Sequence, residues 1–300
     1  MAESNSKNIV HKAFRHQPTP RIPRGELWLG TELLKKADLE DNLKGHIELI
    51  KRLGLDLICL PISADTTYNK ILGYRYFTPN DLKKASQLTD LFVMAILDGP
   101  FQRLTEMYGL MKFLAGWMRE RDKIINQYKQ EQRGIEDLLD QILETYADAV
   151  IIAEDLAGEQ GPLISPDEIQ EYFFPFHTQA VSKIHEKQSY ALLHSCGKIM
   201  TLLPQIVSHE FDGLAAIQHR TNDLISLKKI YGSRLTIMAG IDADLLEMEE
   251  ISPSSLEQYQ KVLQAFALGG GFILTSSTGL YSGNHIVRIQ DLYGVLDDAG

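Results

Sequence analysis

Eight short apolar segments recur along the chain, and most are followed by a stretch with helical spacing. They lie at residues 25–30, 55–62, 91–98, 148–155, 190–196, 212–218, 235–242 and 271–276. These runs are continuously apolar rather than alternating, which is typical of parallel strands covered on both faces. Helical patterns lie between them at residues 40–53, 103–128 with 134–146, 166–187, 199–209, 224–231, 253–268 and 284–298. The alternation predicts an α/β fold, specifically a (β/α)8 TIM barrel.

No linker or low-complexity segment divides the chain, so we predict a single barrel domain over residues 1–300. Residues 1–24 precede the first strand and are expected to form an N-terminal helix and a turn. Residues 66–79 form a long aromatic segment after the second strand. Long loops often carry function, so this segment is interpreted either as a lid or as a loop packed on the barrel rim.

Composition narrows the classes of partner. The formal charge of -10 and the pI near 5.4 oppose binding to nucleic acid or to an anionic membrane, and no basic patch offsets them. The first residues lack the apolar core of a signal peptide, and no run is long enough to span a bilayer. The two cysteines, Cys59 and Cys196, cannot form a multi-bridge framework. We therefore expect a cytoplasmic protein.

The segment His194-Ser195-Cys196-Gly197 closes the fifth apolar run. Side chains two residues apart leave a strand on the same face, so His194 and Cys196 can reach one metal ion or one substrate atom. Zinc accepts histidine nitrogen and cysteine sulfur together. The alternative is a buried thiol beside a hydrogen-bonded histidine, because free cysteine is commonly buried.

Chemistry in a barrel of this type lies at the C-terminal ends of the strands. Polar residues follow the strands in this order: Glu26 with Trp28, Asp98, Glu154 with Asp155, His194 with Cys196, Gln218 with His219 and Arg220, Asp242, and Thr275 with Ser276 and Ser277. We expect these side chains to converge at one rim.

Three of these acids, Asp155, Glu154 and Asp242, are candidates for a third zinc ligand. Each could instead cap the next helix or pair with an arginine. His219 is open to three interpretations: a metal ligand, a proton donor, or a packed histidine. Arg220 could hold a substrate carboxylate through its forked donors, or lie on the surface.

The chain resembles the uroporphyrinogen decarboxylase family, including its corrinoid-linked methyltransferase branch. The resemblance is carried by residues 14–23, 154–156 with 164–166, 194–197, 239–242 and 269–274. Porphyrinogen decarboxylases carry an arginine-rich segment after the opening turn, where this chain reads Gly-Glu-Leu-Trp-Leu-Gly at residues 25–30. An acid with a tryptophan suits a polyanionic substrate poorly, so the resemblance favours the methyltransferase branch.

That branch binds zinc through a histidine, a cysteine two residues later, and a second cysteine near the eighth strand. His194 and Cys196 match the first two, whereas residues 275–278 read Thr-Ser-Ser-Thr. The resemblance therefore implies a variant zinc site in which Glu154 or Asp155 replaces the second thiolate, and we assign Glu154 as the ligand. The missing cysteine argues against members that methylate thiols. A less anionic zinc site is a stronger Lewis acid and suits a methyl ether or a methylamine-like donor.

The leading hypothesis is a corrinoid-dependent methyltransferase component that moves a methyl group from a small O-methyl substrate, an aromatic ether being one candidate, or an N-methyl substrate to cob(I)alamin on a separate corrinoid protein. The assigned catalytic residues are Asp155, His219 and Asp98, and the substrate-binding residues are Glu26, Trp28, Tyr68, Tyr74, Arg220 and Asp242. Two alternatives stay open. One is a metal-free decarboxylase in which Arg220 or Arg75 holds a carboxylate and Asp98 or Asp155 donates a proton. The other is a non-catalytic binding protein. A homodimer is also left open.

Overall fold

The computed structural model describes residues 5–266 and 269–298. Within those ranges the chain folds into strands and helices that alternate, as the apolar runs predict. The strands are β1 (Leu57–Pro61), β2 (Thr67–Tyr68), β3 (Arg75–Tyr76), β4 (Phe92–Asp98), β5 (Ala149–Ala153), β6 (Ala157–Gly158), β7 (Gly161–Pro162), β8 (Tyr190–His194), β9 (Gly213–Ile217), β10 (Thr236–Ile241) and β11 (Phe272–Ser276).

Most predicted helical patterns contain helices, but residues 103–146 form three helices with other boundaries, and the helices at 31–36, 79–88 and 243–247 were not predicted. The helices are α1 (Ser6–Phe14), α2 (Thr31–Lys36), α3 (Leu43–Arg52), α4 (Pro79–Leu88), α5 (Pro100–Tyr108), α6 (Leu110–Arg119), α7 (Arg121–Leu143), α8 (Pro166–Tyr172), α9 (Phe174–Glu186), α10 (Leu203–Ser208), α11 (Leu224–Tyr231), α12 (Ala243–Glu247), α13 (Pro253–Phe266) and α14 (Asn284–Asp298), with a short 3-10 turn at Met200–Leu202. No helix in the described ranges combines the length and apolar character needed to cross a bilayer.

One parallel sheet organises the molecule. Its strand order is β1-β4-β5-β8-β9-β10-β11. Alternate side chains enter different cores: Leu57 and Cys59 lie in the cluster on the inner face of the curled sheet, whereas Ile58 and Leu60 pack under the surrounding helices. Phe14 of α1 stacks on Tyr190 and adds to the inner cluster. The predicted α/β barrel-type fold is confirmed.

The eight-strand count needs correction. In the described residues the sheet has seven strands, and residues 25–30 form no regular strand. Isolated bridges occur there instead: Leu29 pairs with Leu280 and Gly30 with Tyr74, and the preceding Arg24 pairs with Leu274. The apolar run has the length of a strand, but its backbone pairs with its neighbours at separated points only.

The same segment nevertheless closes the gap between the first and last strands of the sheet. Gly25 donates its N–H to the carbonyl of Leu274, and the Asp56 N–H at the start of β1 donates to the carbonyl of Arg24. The buried Asp56 carboxylate accepts two bonds from the Arg21 guanidinium, both 2.7 Å, and one from the Arg24 N–H at 2.9 Å. Residues 21–25 therefore link the two edges of the sheet through backbone and side-chain hydrogen bonds.

The aromatic segment after β1 is a hairpin of β2 and β3. Its tip exposes Ile71 and Leu72, which are 89% and 49% accessible. Asn69 organises the tip, because its side-chain oxygen accepts the N–H groups of both residues. The hairpin lies at the end of the sheet where β1 ends, which is the position that a lid would need.

Candidate metal centre and cavity

Three potential metal ligands meet at the C-terminal ends of β5 and β8. The His194 Nε2 atom lies 3.7 Å from the Cys196 Sγ and 3.8 Å from the Asp155 Oδ1. The donor atoms of all three residues lie within 4.8 Å of one another. The sequence spacing thus brings His194 and Cys196 together as predicted, and the structure adds Asp155 to the pair.

Local backbone bonds hold this trio in place. His194 Nδ1 donates to the carbonyl of Ala215 at 2.8 Å, which leaves the Nε2 lone pair facing the other two residues. The Cys196 N–H donates to Asp155 Oδ1 at 2.9 Å. Gly197 follows with a φ of +78°, and a Cβ there would lie 2.5 Å from the carbonyl oxygen of Ala157. Only glycine allows the turn that returns the chain after Cys196.

The donor set fits a zinc ion. Zinc–ligand distances of about 2.0–2.3 Å at tetrahedral angles place donors about 3.3–3.8 Å apart, and two of the three separations match. Burial and the neighbouring Asp155 carboxylate raise the pKa of the Cys196 thiol. A thiolate there consequently needs a cation beside it, which a metal would provide. Three protein ligands leave a fourth tetrahedral position open.

The trio forms one wall of a cavity of about 330 Å³. Trp28 places its indole edge-on to the His194 ring, with the centroids 4.9 Å apart. The lining comprises Trp28, Asn69, Ile71, Leu72, Tyr74, Asp98, Gln102, Glu106, Ala153, Asp155, His194, Cys196, Ser277, Thr278 and Tyr281. Among these lining residues there are three carboxyl groups besides the histidine and thiol, and neither lysine nor arginine.

Asp98, at the end of β4, is the carboxyl group at the cavity whose pKa is clearly shifted. Burial raises its pKa to about 7. Tyr76 donates a hydrogen bond of 2.7 Å to its Oδ2 atom, and the Tyr74 hydroxyl lies 3.2 Å from the Tyr76 hydroxyl. Asn69 in turn donates to the Tyr74 hydroxyl at 3.2 Å. A carboxyl with a pKa near 7 can donate a proton at neutral pH, which fits the predicted role of Asp98.

The metal assignment of Glu154 is corrected by its position. Its carboxylate accepts the backbone N–H groups of Phe101 and Gln102 in the first turn of α5, at 3.4 and 2.7 Å. Its other neighbour is His177, 3.3 Å away, and both side chains are fully buried. Adjacent residues at a strand end point in different directions, so Asp155 turns toward His194 while Glu154 turns into the helix layer.

Glu26 also lies away from the cavity, contrary to its assigned role in substrate binding. It is 2% accessible, and its carboxylate accepts bonds from the Ser276 hydroxyl, the Ser276 N–H and the Tyr293 hydroxyl. Burial raises its pKa to about 7. Glu26 connects residues 21–30, which we call the closing segment, to β11 and α14.

Four further predicted residues do not line the cavity. Asp242 accepts the backbone N–H groups of His219 and Arg220, at 3.0 and 2.8 Å, and lies 3.2 Å from the His219 ring. The Arg220 side chain is 62% accessible and pairs with Glu159. Tyr68 is 43% accessible on the hairpin, where it accepts a bond from Arg75. These four side chains therefore stabilise loops and the hairpin. For the strand-end residues among them, this matches the alternative stated above, in which they cap or pair locally instead of binding a ligand.

Sequence reasoning missed several lining residues. Gln102 and Glu106 come from the first turns of α5, one helical turn apart, and face the cavity because Glu154 anchors that helix start. Tyr281 comes from the loop after β11, beyond the end of that strand. The i, i+4 spacing of Gln102 and Glu106 after the β4 end was the available signal.

Comparison with known proteins identifies a family and a curated relative. A family model described as uroporphyrinogen decarboxylase (URO-D) matches residues 76–296. A curated relative, the methylcobamide:CoM methyltransferase MtaA of Methanosarcina barkeri, is 20% identical over 209 residues. That match covers 70% of this chain but 59% of the relative, so the chain spans less than two thirds of that relative's length.

Solved structures share the fold. A methyltransferase from Methanosarcina mazei covers 99% of both chains with a TM-score of 0.74 at 15% identity. A sugar phosphate isomerase/epimerase from Parabacteroides distasonis covers 92% of this chain and 96% of its own, with a TM-score of 0.51 at 11% identity. Barrels host unrelated chemistries, so these likenesses establish architecture alone.

Proposed function

Since the chain belongs to the uroporphyrinogen decarboxylase family, we propose that it is a methyltransferase of the corrinoid-linked branch. It would take a methyl group from a small O-methyl or N-methyl substrate and pass it to cob(I)alamin carried by a separate protein. One observation carries the proposal: Asp155, His194 and Cys196 form a three-donor metal site in the wall of a cavity without lysine or arginine. The similarity to a methylcobamide-dependent relative supports the corrinoid as the methyl acceptor.

In this proposal Asp155, His194 and Cys196 hold zinc, and Asp155 replaces the second cysteine of the family. Zinc bound there would supply Lewis acidity toward the group that leaves the methyl carbon. The residues of the chain do the rest. Ala215 fixes the histidine tautomer, and Trp28 restricts the His194 ring. Tyr74 and the hairpin residues Ile71 and Leu72 enclose the substrate and exclude water.

Asp98 is the proposed proton donor. Demethylation leaves negative charge on the departing oxygen or nitrogen, and a proton from a neutral carboxyl removes that charge. Tyr76 holds Asp98 in position through a 2.7 Å hydrogen bond.

The two cysteines are unpaired, which supports a cytoplasmic setting for this chemistry.

The absence of lysine and arginine from the lining favours methyl transfer over decarboxylation of a small acid. The decarboxylase alternative relies on Arg220 or Arg75 to hold a carboxylate, yet neither lines the cavity. The carboxylates of Glu106 and Asp155 would instead repel an anionic substrate in the absence of metal.

The testing experiment measures zinc and methyl transfer in the same preparations. Wild type, His194→Ala and the control His185→Ala, whose ring pairs with Asp212 outside the cavity, are purified without chelator. Elemental analysis is expected to find zinc in wild type and the control but not in His194→Ala. Cobalt methylation is followed by absorbance with free cob(I)alamin and a panel of neutral methoxyarenes and methylamines. Equal zinc in all three proteins, or no methylation with any donor, would refute the proposal.

A second candidate is methyl transfer in the opposite direction, from a methylcobamide to a small thiol. The name of the Methanosarcina barkeri relative favours it. The same preparations discriminate the two, because methylcobalamin with a panel of thiols would then lose its methyl group in a zinc-dependent reaction. The single thiolate ligand, Cys196, supports demethylation instead, since thiol activation favours a more anionic zinc site.

A further inference from the structure

Two buried hydroxyl groups in the cavity wall have no hydrogen-bond partner among the described residues. They are the Ser277 Oγ and the Tyr281 Oη. Both residues line the cavity that contains Asp155, His194 and Cys196. The adjacent Ser276 differs, because its hydroxyl donates to Glu26. A buried hydroxyl left unpaired destabilises a protein by about 1–3 kcal/mol, so a pair of them beside a cavity marks a place where a ligand that accepts hydrogen bonds would be stabilised.

The loop that carries these hydroxyls is fixed by its backbone. Ser277 N–H donates to the carbonyl of Ile241, and Leu280 N–H donates to the carbonyl of Trp28, both at 2.8 Å. Gly279 has a φ of +88°, and a Cβ there would lie 2.7 Å from the Trp28 oxygen. The two donors are therefore held in place before any ligand arrives, which is the condition under which hydrogen bonds to a developing charge are most effective.

The rest of the lining selects the ligand class. Trp28, Tyr74 and Tyr281 supply aromatic rings, and the cavity volume of about 330 Å³ suits one substituted ring. The lining contains no lysine or arginine to neutralise a carboxylate. Hydroxyl donors match an ether or phenol oxygen, which accepts hydrogen bonds, better than a protonated amine, which has no lone pair and can only donate them.

We propose that Ser277 and Tyr281 bind the ether oxygen of an uncharged aryl methyl ether, which makes this chain an O-demethylating enzyme. This inference rests on the proposed function. The cobalt of cob(I)alamin contributes the electron pair of the new cobalt–carbon bond, and the methyl–oxygen bond breaks with its pair going to oxygen. Asp98 gives that oxygen its proton and regains one from water. The products are a phenol and methylcobalamin.

The test compares Ser277→Ala and Tyr281→Phe with wild type. Each removes one oxygen and leaves the surrounding packing. Control variants make the same changes on the surface, at the exposed Ser233 and at Tyr146, which is 80% accessible. A series of methoxyarenes whose phenols differ in pKa is assayed for kcat/KM with cob(I)alamin. The cavity variants are expected to lose about 10- to 100-fold, mainly in kcat, and most for the poorest leaving groups. The controls should match wild type.

A second measurement separates this inference from the proposed function. Binding of the corresponding neutral phenols, and of toluene analogues without the oxygen, is measured by calorimetry on the same variants. Wild type should bind the phenols more tightly, and both cavity variants should lose about 5-fold or more of that preference. Phenol binding that depends on the hydroxyls, without methyl transfer, would sink the proposed function but keep the oxygen site. Unchanged phenol preference and an unchanged leaving-group dependence in both variants would overturn the inference.

Discussion

Replacing Tyr76 by phenylalanine should move the pH dependence of catalysis. Asp98 must be protonated to act as the donor, so activity is present below its pKa and is lost as the pH rises through about 7. The Tyr76 hydroxyl donates to the ionised carboxylate over 2.7 Å and so stabilises the charged form. A hydrogen bond to a charged group is worth about 1.5–3 kcal/mol, and about 1.4 kcal/mol corresponds to one pKa unit.

The expected shift is therefore about one to two units upward, which moves the alkaline limb of kcat/KM in Tyr76→Phe to about pH 8–9. Tyr74→Phe is the matched control, because the Tyr74 hydroxyl contacts Tyr76 at 3.2 Å and not the carboxylate. Its limb should stay near that of wild type. Carbon-13 NMR of labelled aspartate measures the Asp98 pKa directly in the same proteins. An alkaline limb that stays at its wild-type pH in Tyr76→Phe, while the NMR pKa moves, would remove Asp98 from the proton-donor role.

Three further predictions concern metal and stability. Asp155→Asn should lower zinc affinity at least about 10-fold. Glu154→Gln should instead keep zinc in elemental analysis and lower the free energy of unfolding in urea by about 2–4 kcal/mol, because it removes a buried acceptor. Zinc loss in Glu154→Gln, with zinc retained in Asp155→Asn, would contradict the proposed ligands. Asp56→Asn should cost about 3 kcal/mol by the same assay, since it leaves Arg21 without its buried partner. Because burial raises the pKa of Glu26, its contribution to stability is complete below about pH 4.5 and is lost as the pH rises through about 7, a full difference of about 3 kcal/mol. In Glu26→Gln the urea midpoint should therefore change less with pH over that range than in wild type. Equal pH dependence of the midpoints in the two proteins would refute this.

Hydrophobic periodicity was sufficient to locate most helices and strands, because both faces of a parallel strand are buried and leave a continuous apolar run. It failed at residues 25–30, where a run of strand length pairs only at isolated bridges. The two-residue spacing of His194 and Cys196 predicted their proximity, since strand geometry alone fixes it. It could not decide between Glu154 and Asp155. That choice depends on α5, whose first N–H groups donate to the Glu154 carboxylate and hold it in the helix layer.

Tyr281, which sequence reasoning missed, has a different cause. It reaches the cavity because the backbone bond from Leu280 to Trp28 folds the loop after β11 inward, whereas Ser277 was expected at the rim as a strand-end residue. Contacts between positions so distant in the chain leave no periodic signal. Conversely, the side chains of Arg220 and Tyr68 are exposed to solvent, 62% and 43% accessible, and neither lines the cavity. Residue type suggested binding for both, whereas position within the loop decided otherwise.

The closing segment also has a consequence for how the protein acquires its activity. Glu26 and Ser276 bond across 250 positions of sequence, and Trp28 accepts the N–H of Leu280. Contacts of such separation carry a loop-closure entropy cost, and during synthesis they can form only after the intervening residues have been made. The cavity wall between Trp28 and Tyr281 thus comes into existence only when β11 docks. During synthesis, ligand binding would report completion of the barrel, and a nascent chain halted before β11 emerges would carry His194 and Cys196 without a chamber around them.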